Sequence, residues 1–355
     1  MPVVPLHQYL MPDFRIRINR VLLGARFTDA ISEVSVDENP HWPSMFAFTL
    51  EPGAEGATIP WLDNPKVFAV GHVVLIELGL AGEFGELIEG EITALEPEFS
   101  ARSRPRLVVR GFDRGHRLRR GRKTRSFANQ KDSDIARAIA VGAGLQTRIG
   151  DSEVVHEFLM QTQCSDWDFL AQRARAIGFE LRVDKRTLVF EPRRIDAAPT
   201  KQLELGQQLF EFRPRLSTAT QLTEVNTRGW DVDGNALRSA TAASAKVALG
   251  GAATSGPGVV KRAFGAAAET IALPPSARND AEQRQLAQAR LDDAALGLIE
   301  GEALCGGEPE LRAGRCVEVK GVGSRFGGMY YIASTRHRYD SGGYTTHLQL
   351  QRSHA

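Results

Sequence analysis

Eleven arginines and lysines fall between residues 102 and 125, against a single acid, Asp113. A block of this kind can neutralise phosphates and hold nucleic acid by releasing counterions. Only Phe112 interleaves an aromatic ring, so bases would find little to stack on. Just upstream, residues 77–98 carry seven glutamates. Opposite charge blocks side by side suit pairing between subunits or a solvated face, and both rank above nucleic acid.

Other patterns fail as chemistry. Gly251 and Gly256 have the spacing of a phosphate-binding loop, but Pro257 stands where lysine is needed and no Ser or Thr follows. The run 250–258 therefore reads as a flexible loop. No G-x-S-x-G elbow or H-E-x-x-H pair occurs. The eight histidines are scattered, and His337 and His347 fall in terminal strands, in surface or packing roles. A glycosidase needs two carboxylates about 5–10 Å apart, but a Glu-rich chain offers so many pairs that pairing alone carries no information. Asp166 and Asp168 flank Trp167 at a helix start, where capping and the helix dipole account for both. Cys164, Cys305 and Cys316 form no C-x-x-C pair and no even framework, so they read as small buried thiols in a protein assembled in a reducing cytoplasm. No catalytic, cofactor-binding or metal site emerges, and no cofactor is expected.

The elements around these residues are mostly strands. Residues 14–18, 30–38, 45–52, 70–80 and 85–99 alternate apolar and polar side chains between Gly, Pro and Asn clusters, which predicts a small antiparallel barrel or sandwich. Another strand follows at 106–112. The texture then turns helical at 132–145, with Asp132 or Ser133 as cap and Gly142 and Gly144 at the end. A second helix starts after Ser165, whose partner three residues on is Asp168. Trp167, Leu170, Ala171, Ala174 and Ile177 make its apolar stripe, and Gly178 suits a left-handed cap. Residues 179–192 form a hairpin about Asp184, Lys185 and Arg186. Strands return at 209–231. The stretch 236–258 is rich in Ala, Ser and Gly and reads as mobile or loosely packed. Residues 279–301 predict a helix that Asp280 can cap, and three strands close the sequence. No repeat period of 20–50 residues is visible.

With 355 residues, 42% of them hydrophobic, the chain can fill two or three domains. A net charge of +1 gives no overall pull towards nucleic acid or membrane. The first residues, MPVVPLHQYLMPDFRIRI, lack the basic cluster and apolar core of a secretory signal, and no stretch reaches a membrane span.

The run Gln163-Cys164-Ser165-Asp166-Trp167-Asp168-Phe169-Leu170, continuing through Arg175 and Gly178-Phe179, resembles the signature of phage late control protein D and the VgrG head. Three further stretches fit in register. They are Phe68-Ala69-Val70-Gly71, Gly111-Phe112-Asp113 with His116-Arg117-Leu118 leading into Ser133-Asp134-Ile135-Ala136, and Gly327-Gly328-Met329-Tyr330-Tyr331 with His337 and Gly343-Tyr344 behind it. Ser165, Asp166, Trp167, Phe169, Leu170 and Gly178 carry the signature, in a structural role.

The resemblance implies a mainly β protein with two small antiparallel β-barrels of tube type, a small α+β domain and a helical insertion. The division expected is 1–98 for the first barrel, 99–204 for the α+β domain, 205–232 with 309–355 for the second barrel, and 233–308 for the insertion. It further implies a homotrimeric baseplate hub, a virion or tail-like particle component that adapts a hexameric tail tube to a trimeric spike and contacts other baseplate proteins. Because the chain stops at Ala355, just after the last barrel strand, the spike is expected to be a separate polypeptide. No membrane partner is expected in the resting state. The competing readings are a tail-tip cell-wall hydrolase and a nucleic-acid-binding channel protein.

Overall fold

The computed structural model describes residues 12–51, 66–80, 82–101, 104–195, 198–231, 235–249, 254–272 and 280–355. Strands make up 52% of it and helices 20%, so the protein is mainly β.

The first part holds β1 (Pro12–Ile18), β2 (Val21–Leu22), a short helix α1 (Ala25–Thr28), β3 (Ile31–Asn39), β4 (Trp42–Leu50), β5 (Val73–Leu80), β6 (Glu83–Glu98) and β7 (Arg106–Asp113). These strands pair in the order β3-β4-β7-β6-β5-β1-β2. Their inward residues, among them Phe46, Phe48, Ile76 and Leu107, form one core. Each such fully buried side chain contributes about 1.5–3 kcal/mol. β7 falls outside the expected boundary at 98/99. It pairs with both β4 and β6, because Leu107 and Val109 point into the first core.

The middle part contains a 3-10 turn (Arg114–Arg119), β8 (Lys123–Lys131), α2 (Asp132–Gly142), β9 (Gln146–Ile149), β10 (Val155–Cys164), α3 (Asp166–Ala176), β11 (Phe179–Asp184) and β12 (Thr187–Pro192). Both helices pack their apolar faces on Leu159, Leu181, Leu188 and Phe190.

Next come β13 (Gln202–Glu204), β14 (Leu209–Leu216), β15 (Glu224–Asp231), β16 (Ala236–Ala242), α4 (Gly256–Phe264), β17 (Ala268–Ala272) and α5 (Asp280–Leu296). The chain finishes with β18 (Ile299–Gly306), β19 (Cys316–Lys320), α6 (Gly323–Phe326), β20 (Gly328–Asp340) and β21 (Gly343–Arg352). The strand at 222–230, expected to pair with the C-terminal strands, is β15 in a separate sheet with β16 and β17. Its inward Val225 is covered by Ala287 and Leu291 of α5. The pairing across the insertion is made instead by β14 with β18, and β18 lies inside the range expected to be inserted. The predicted helix 279–301 ends at Leu296 because Gly297 breaks it. The stretch 236–258, expected to be loose, contributes β16 and the start of α4. Small Ala240 and Ala242 let α5 approach closely, and Ser255 caps α4 just before Pro257.

The C-terminal strands pair as β14-β18-β21-β20-β19-β13. This repeats the order of the first part, β3-β4-β7-β6-β5-β1, strand for strand along the chain. The bulges repeat too. Ile92 and Ala94 face Gly111 and Arg110 across one bulge, as Ile332 and Ser334 face Leu350 and Gln349. Ile31 and Glu33 face Leu50 and Thr49 across another, as Leu209 and Glu211 face Cys305 and Leu304. The last pair departs from the match: β13 runs parallel to β19, whereas β1 runs antiparallel to β5. The two units join edge to edge where β20 pairs with β3, giving one 13-stranded sheet. Among the described residues no strand pair closes either unit into a barrel. A single bridge, Leu205 to Leu209, links the two end strands of the second.

Candidate functional site

The signature residues gather at the start of α3. Ser165 is the N-cap and accepts the Asp168 amide N–H at 3.1 Å, while its hydroxyl donates to Asp168 Oδ2 at 2.7 Å. Asp166 does more than favour the helix dipole. It accepts Lys123 Nζ and Arg125 Nη2, each at 2.6 Å, and Gln161 Nε2 at 3.1 Å, tying α3 to the β8–β10 ribbon. Trp167, 1% exposed, donates its indole N–H to the His41 carbonyl oxygen in the β3–β4 turn. Phe169 stacks on Phe127, and Leu170 is in the core. Gly178 follows the helix at φ +72°. These six residues fasten α3 to its surroundings, and of them only Gly178 borders an open cleft, at the end of the helix.

Neither Asp132 nor Ser133 is the cap expected. Lys131 holds that position, and Asp132 is the first helical residue, buried against Arg173 at 2.6 Å and His156 at 2.9 Å. Glu282 of α5 completes the cluster, 3.3 Å from His156 Nδ1 and 3.5 Å from Arg173. Burial alone would lower the imidazole's pKa, but Asp132 and Glu282 raise it to about 9. Sequence offered no sign of this node, since its members lie up to 150 residues apart on four elements.

A second node lies where the β units meet. Arg312 donates to Glu38 and to the Leu87 and Glu86 carbonyl oxygens, and the Ala313 N–H donates to Glu38 at 2.9 Å. Burial would raise the Glu38 carboxyl, yet Arg312 outweighs it and holds it below its ordinary value. His337 donates from Nε2 to the Leu311 carbonyl oxygen at 3.0 Å and accepts the Tyr344 hydroxyl at Nδ1. Burial pushes it down to about 4, so the ring is neutral. An adjoining cleft of about 430 Å³ is lined by Glu38, His41, Glu180, Arg193, Arg312 and Tyr331. Three of its carboxylates are engaged: Glu180 by Tyr331 and Arg182, Glu38 by Arg312, and Asp293 by Arg193.

The acidic and basic blocks pair with each other inside the chain. Across β6 and β7, Glu98 meets Arg106 and Glu96 meets Arg110. Glu91 takes Arg117 and His116, and Arg119 lies over the Trp42 ring at 3.6 Å. His347 is exposed on β21. None of the cysteines is in a disulfide, and burial raises the Cys305 thiol. The phosphate-loop pattern falls partly outside the described residues at Gly251. Among the described residues no group of three or more His, Cys, Asp or Glu could hold a metal ion, and no helix is long and apolar enough to cross a membrane.

A family model described as the Alg8 N-terminal domain matches residues 49–341. The chain belongs to that family. No curated protein sequence matches it. Among solved structures, the 43 kDa tail protein of prophage MuSo2 from Shewanella oneidensis superposes with a TM-score of 0.69 at 14% identity, over 96% of this chain and 98% of that one. A tail protein from Neisseria meningitidis gives 0.68 at 13% identity, over 96% and 97%. The E. coli c3393 protein gives 0.59 at 13% identity, over 95% and 76%. It is described as a type VI secretion component structurally similar to the T4 tail proteins gp27 and gp5. The resemblance to contractile-tail hub proteins carried by the signature is thus matched in the fold.

Proposed function

We propose that this protein is a structural hub subunit in the baseplate of a contractile phage tail or tail-like injection machine. Three copies form a ring that adapts a hexameric tube to a trimeric spike. The observation that carries the reading is the agreement in fold along nearly the whole chain with a prophage tail protein. The duplicated β units support it physically. Two equivalent units per chain, in three chains, present six similar surfaces to a sixfold tube while the ring keeps threefold symmetry. In this reading each unit is a tube-type barrel, the middle part is a separate α+β domain, and the insertion between β14 and β18 reaches neighbouring baseplate proteins. The work is geometric rather than catalytic, and the protein is assembled in the bacterial cytoplasm into a virion tail or similar particle.

Sedimentation of the purified chain, with electron microscopy of the product, tests this. A trimer appearing as a ring with six similar lobes is expected. A chain that stays monomeric at micromolar concentration and forms no trimer in the assembled particle would overturn it.

A further inference from the structure

The junction inside the chain has unused counterparts at both ends of the sheet. Within the chain, β20 pairs with β21 on one side, and on the other with β19 and then, over residues 335–339, with β3. Its equivalent β6 pairs with β7 on one side and with β5 over residues 83–91 on the other. Beyond that point the β6 edge has no strand partner among the described residues. The equivalent of β3 is β14, and its edge away from β18 is likewise open.

We propose that the ring closes by repeating this junction between chains, with β14 of one copy lying antiparallel against the end of β6, residues 95–98, and Phe99 just beyond it, in the next copy. The inference rests on the trimeric reading above. The occupant of each open edge is therefore a second copy of this chain, in a head-to-tail contact of the kind that generates rings.

The matched bulges fix the register. Ile92 is equivalent to Ile332 and Glu33 to Glu211, so the internal pairs Glu38–Thr335, Asp37–Arg336, Ser35–Arg338 and Val34–Tyr339 transfer directly. They become Leu216–Leu95, Arg215–Glu96, Arg213–Glu98 and Phe212–Phe99. The charges oppose at both polar positions. In the internal junction the arginine of the facing pair Arg336–Asp37 is on β20 and the acid on β3. At the open edges the acids are on β6 and the arginines on β14. The inversion favours the proposed contact and sets the arginines of β14 against those of β20, which disfavours the wrong pairing. The contact would also cover Phe99, which is 69% exposed in the single chain.

The central pair becomes Pro97 opposite Pro214. The Ser217 amide bonds Leu298 on the β18 side, so by alternation Pro214 faces the open edge. The Ile92 amide bonds His72 on the β5 side, and past the bulge the alternation turns the Pro97 backbone to that same side. Two opposed prolines supply no N–H to each other, so the central pair forms no ladder bond. The centre of the contact is therefore held by side chains, with ladder bonds only at the flanking pairs.

Arg215 and Glu96 fall at a non-hydrogen-bonded pair, with Cα atoms about 4.5 Å apart, which suits a disulfide. The test oxidises the full-length double variant E96C/R215C and compares it with each single variant, alongside sedimentation of the parent protein. A covalent ladder ending at three chains is expected from the double variant alone. In a second arm, E96R/E98R should weaken assembly at least about tenfold and the fourfold swap E96R/E98R/R213E/R215E should restore it. A sedimenting trimer with no ladder and no charge effect overturns the proposed contact while leaving the ring standing. A monomer with no ladder overturns both.

Discussion

Trp167 on α3 and His41 in the β3–β4 turn are joined by a hydrogen bond of 3.2 Å from the indole N–H to the carbonyl oxygen, across the boundary between the middle part and the first β unit. Replacing Trp167 with phenylalanine should cost about 1 kcal/mol for the lost bond, beyond any repacking. Replacement with alanine should cost about 3–5 kcal/mol. Chemical denaturation followed by a probe in each part checks this, and the alanine variant should also separate the two transitions.

Gly115 is the other side of that contact. A Cβ there would meet the six-membered ring of Trp167 at 2.6 Å. Gly115→Ala should therefore destabilise by about 1–3 kcal/mol through overpacking. In the Trp167→Phe background the smaller ring leaves room, so the two costs should not add. A double-mutant cycle measures the coupling.

Much of this architecture was legible in local signals. The Ser165–Asp168 pairing, the stripe on α3, and the Asp184–Lys185–Arg186 turn each depend on residues within one element. The duplication was implied only by the family resemblance and could not be read from the residues, because the two units share little beyond pattern. Val34 corresponds to Phe212, Val36 to Pro214 and Thr49 to Leu304, and isolated identities such as Ile92 with Ile332 and Glu33 with Glu211 are too sparse to mark the repeat. The buried nodes were hidden for a different reason: Arg312 and Glu38 lie 274 positions apart, and only the β20–β3 pairing brings them together. The charge blocks read as an interface or a solvated face. Their pairing inside the chain depends on the β6–β7 register, which places Glu98 opposite Arg106.

Arg312 and Glu38 form a buried pair with further partners on both sides. Arg312→Ala leaves an uncompensated carboxylate and should destabilise by about 3–5 kcal/mol. Removing both charges together, as in Glu38→Gln with Arg312→Met, should cost less than the single change. Equilibrium unfolding of the three proteins checks the order.

His156 should make stability pH-dependent. Its folded pKa is about 9, above the ordinary value of 6.5, so the folded state binds the proton more tightly than the unfolded chain. The contribution is fully present below about pH 6.5 and is lost as pH rises through about 9. Asp132, Glu282 and Arg173 face the ring from α2, α5 and α3. His156→Gln should be less stable than the parent at pH 6 and should lose the decline between pH 7 and pH 9. Melting temperature against pH reads both effects.

The basic block should bind DNA weakly. Counterion release requires cations that are free to meet phosphates, and log affinity falls with log salt by about 0.9 for each phosphate neutralised. Here Arg106, Arg110 and Arg117 meet glutamates of β6, while Lys123 and Arg125 meet Asp166. Of the described cations in 102–125, Arg104, Arg120 and Arg122 stand outside the ion pairs and the Trp42 contact; Arg102 lies outside the described residues. Contact with DNA would exchange a carboxylate partner for a phosphate at each paired position, gaining little. Retention on immobilised DNA should therefore be lost by about 150 mM salt, with a slope no steeper than about −3. A slope near −7 would mean that the glutamates release their partners, and the channel-protein reading would then displace the structural one for this face.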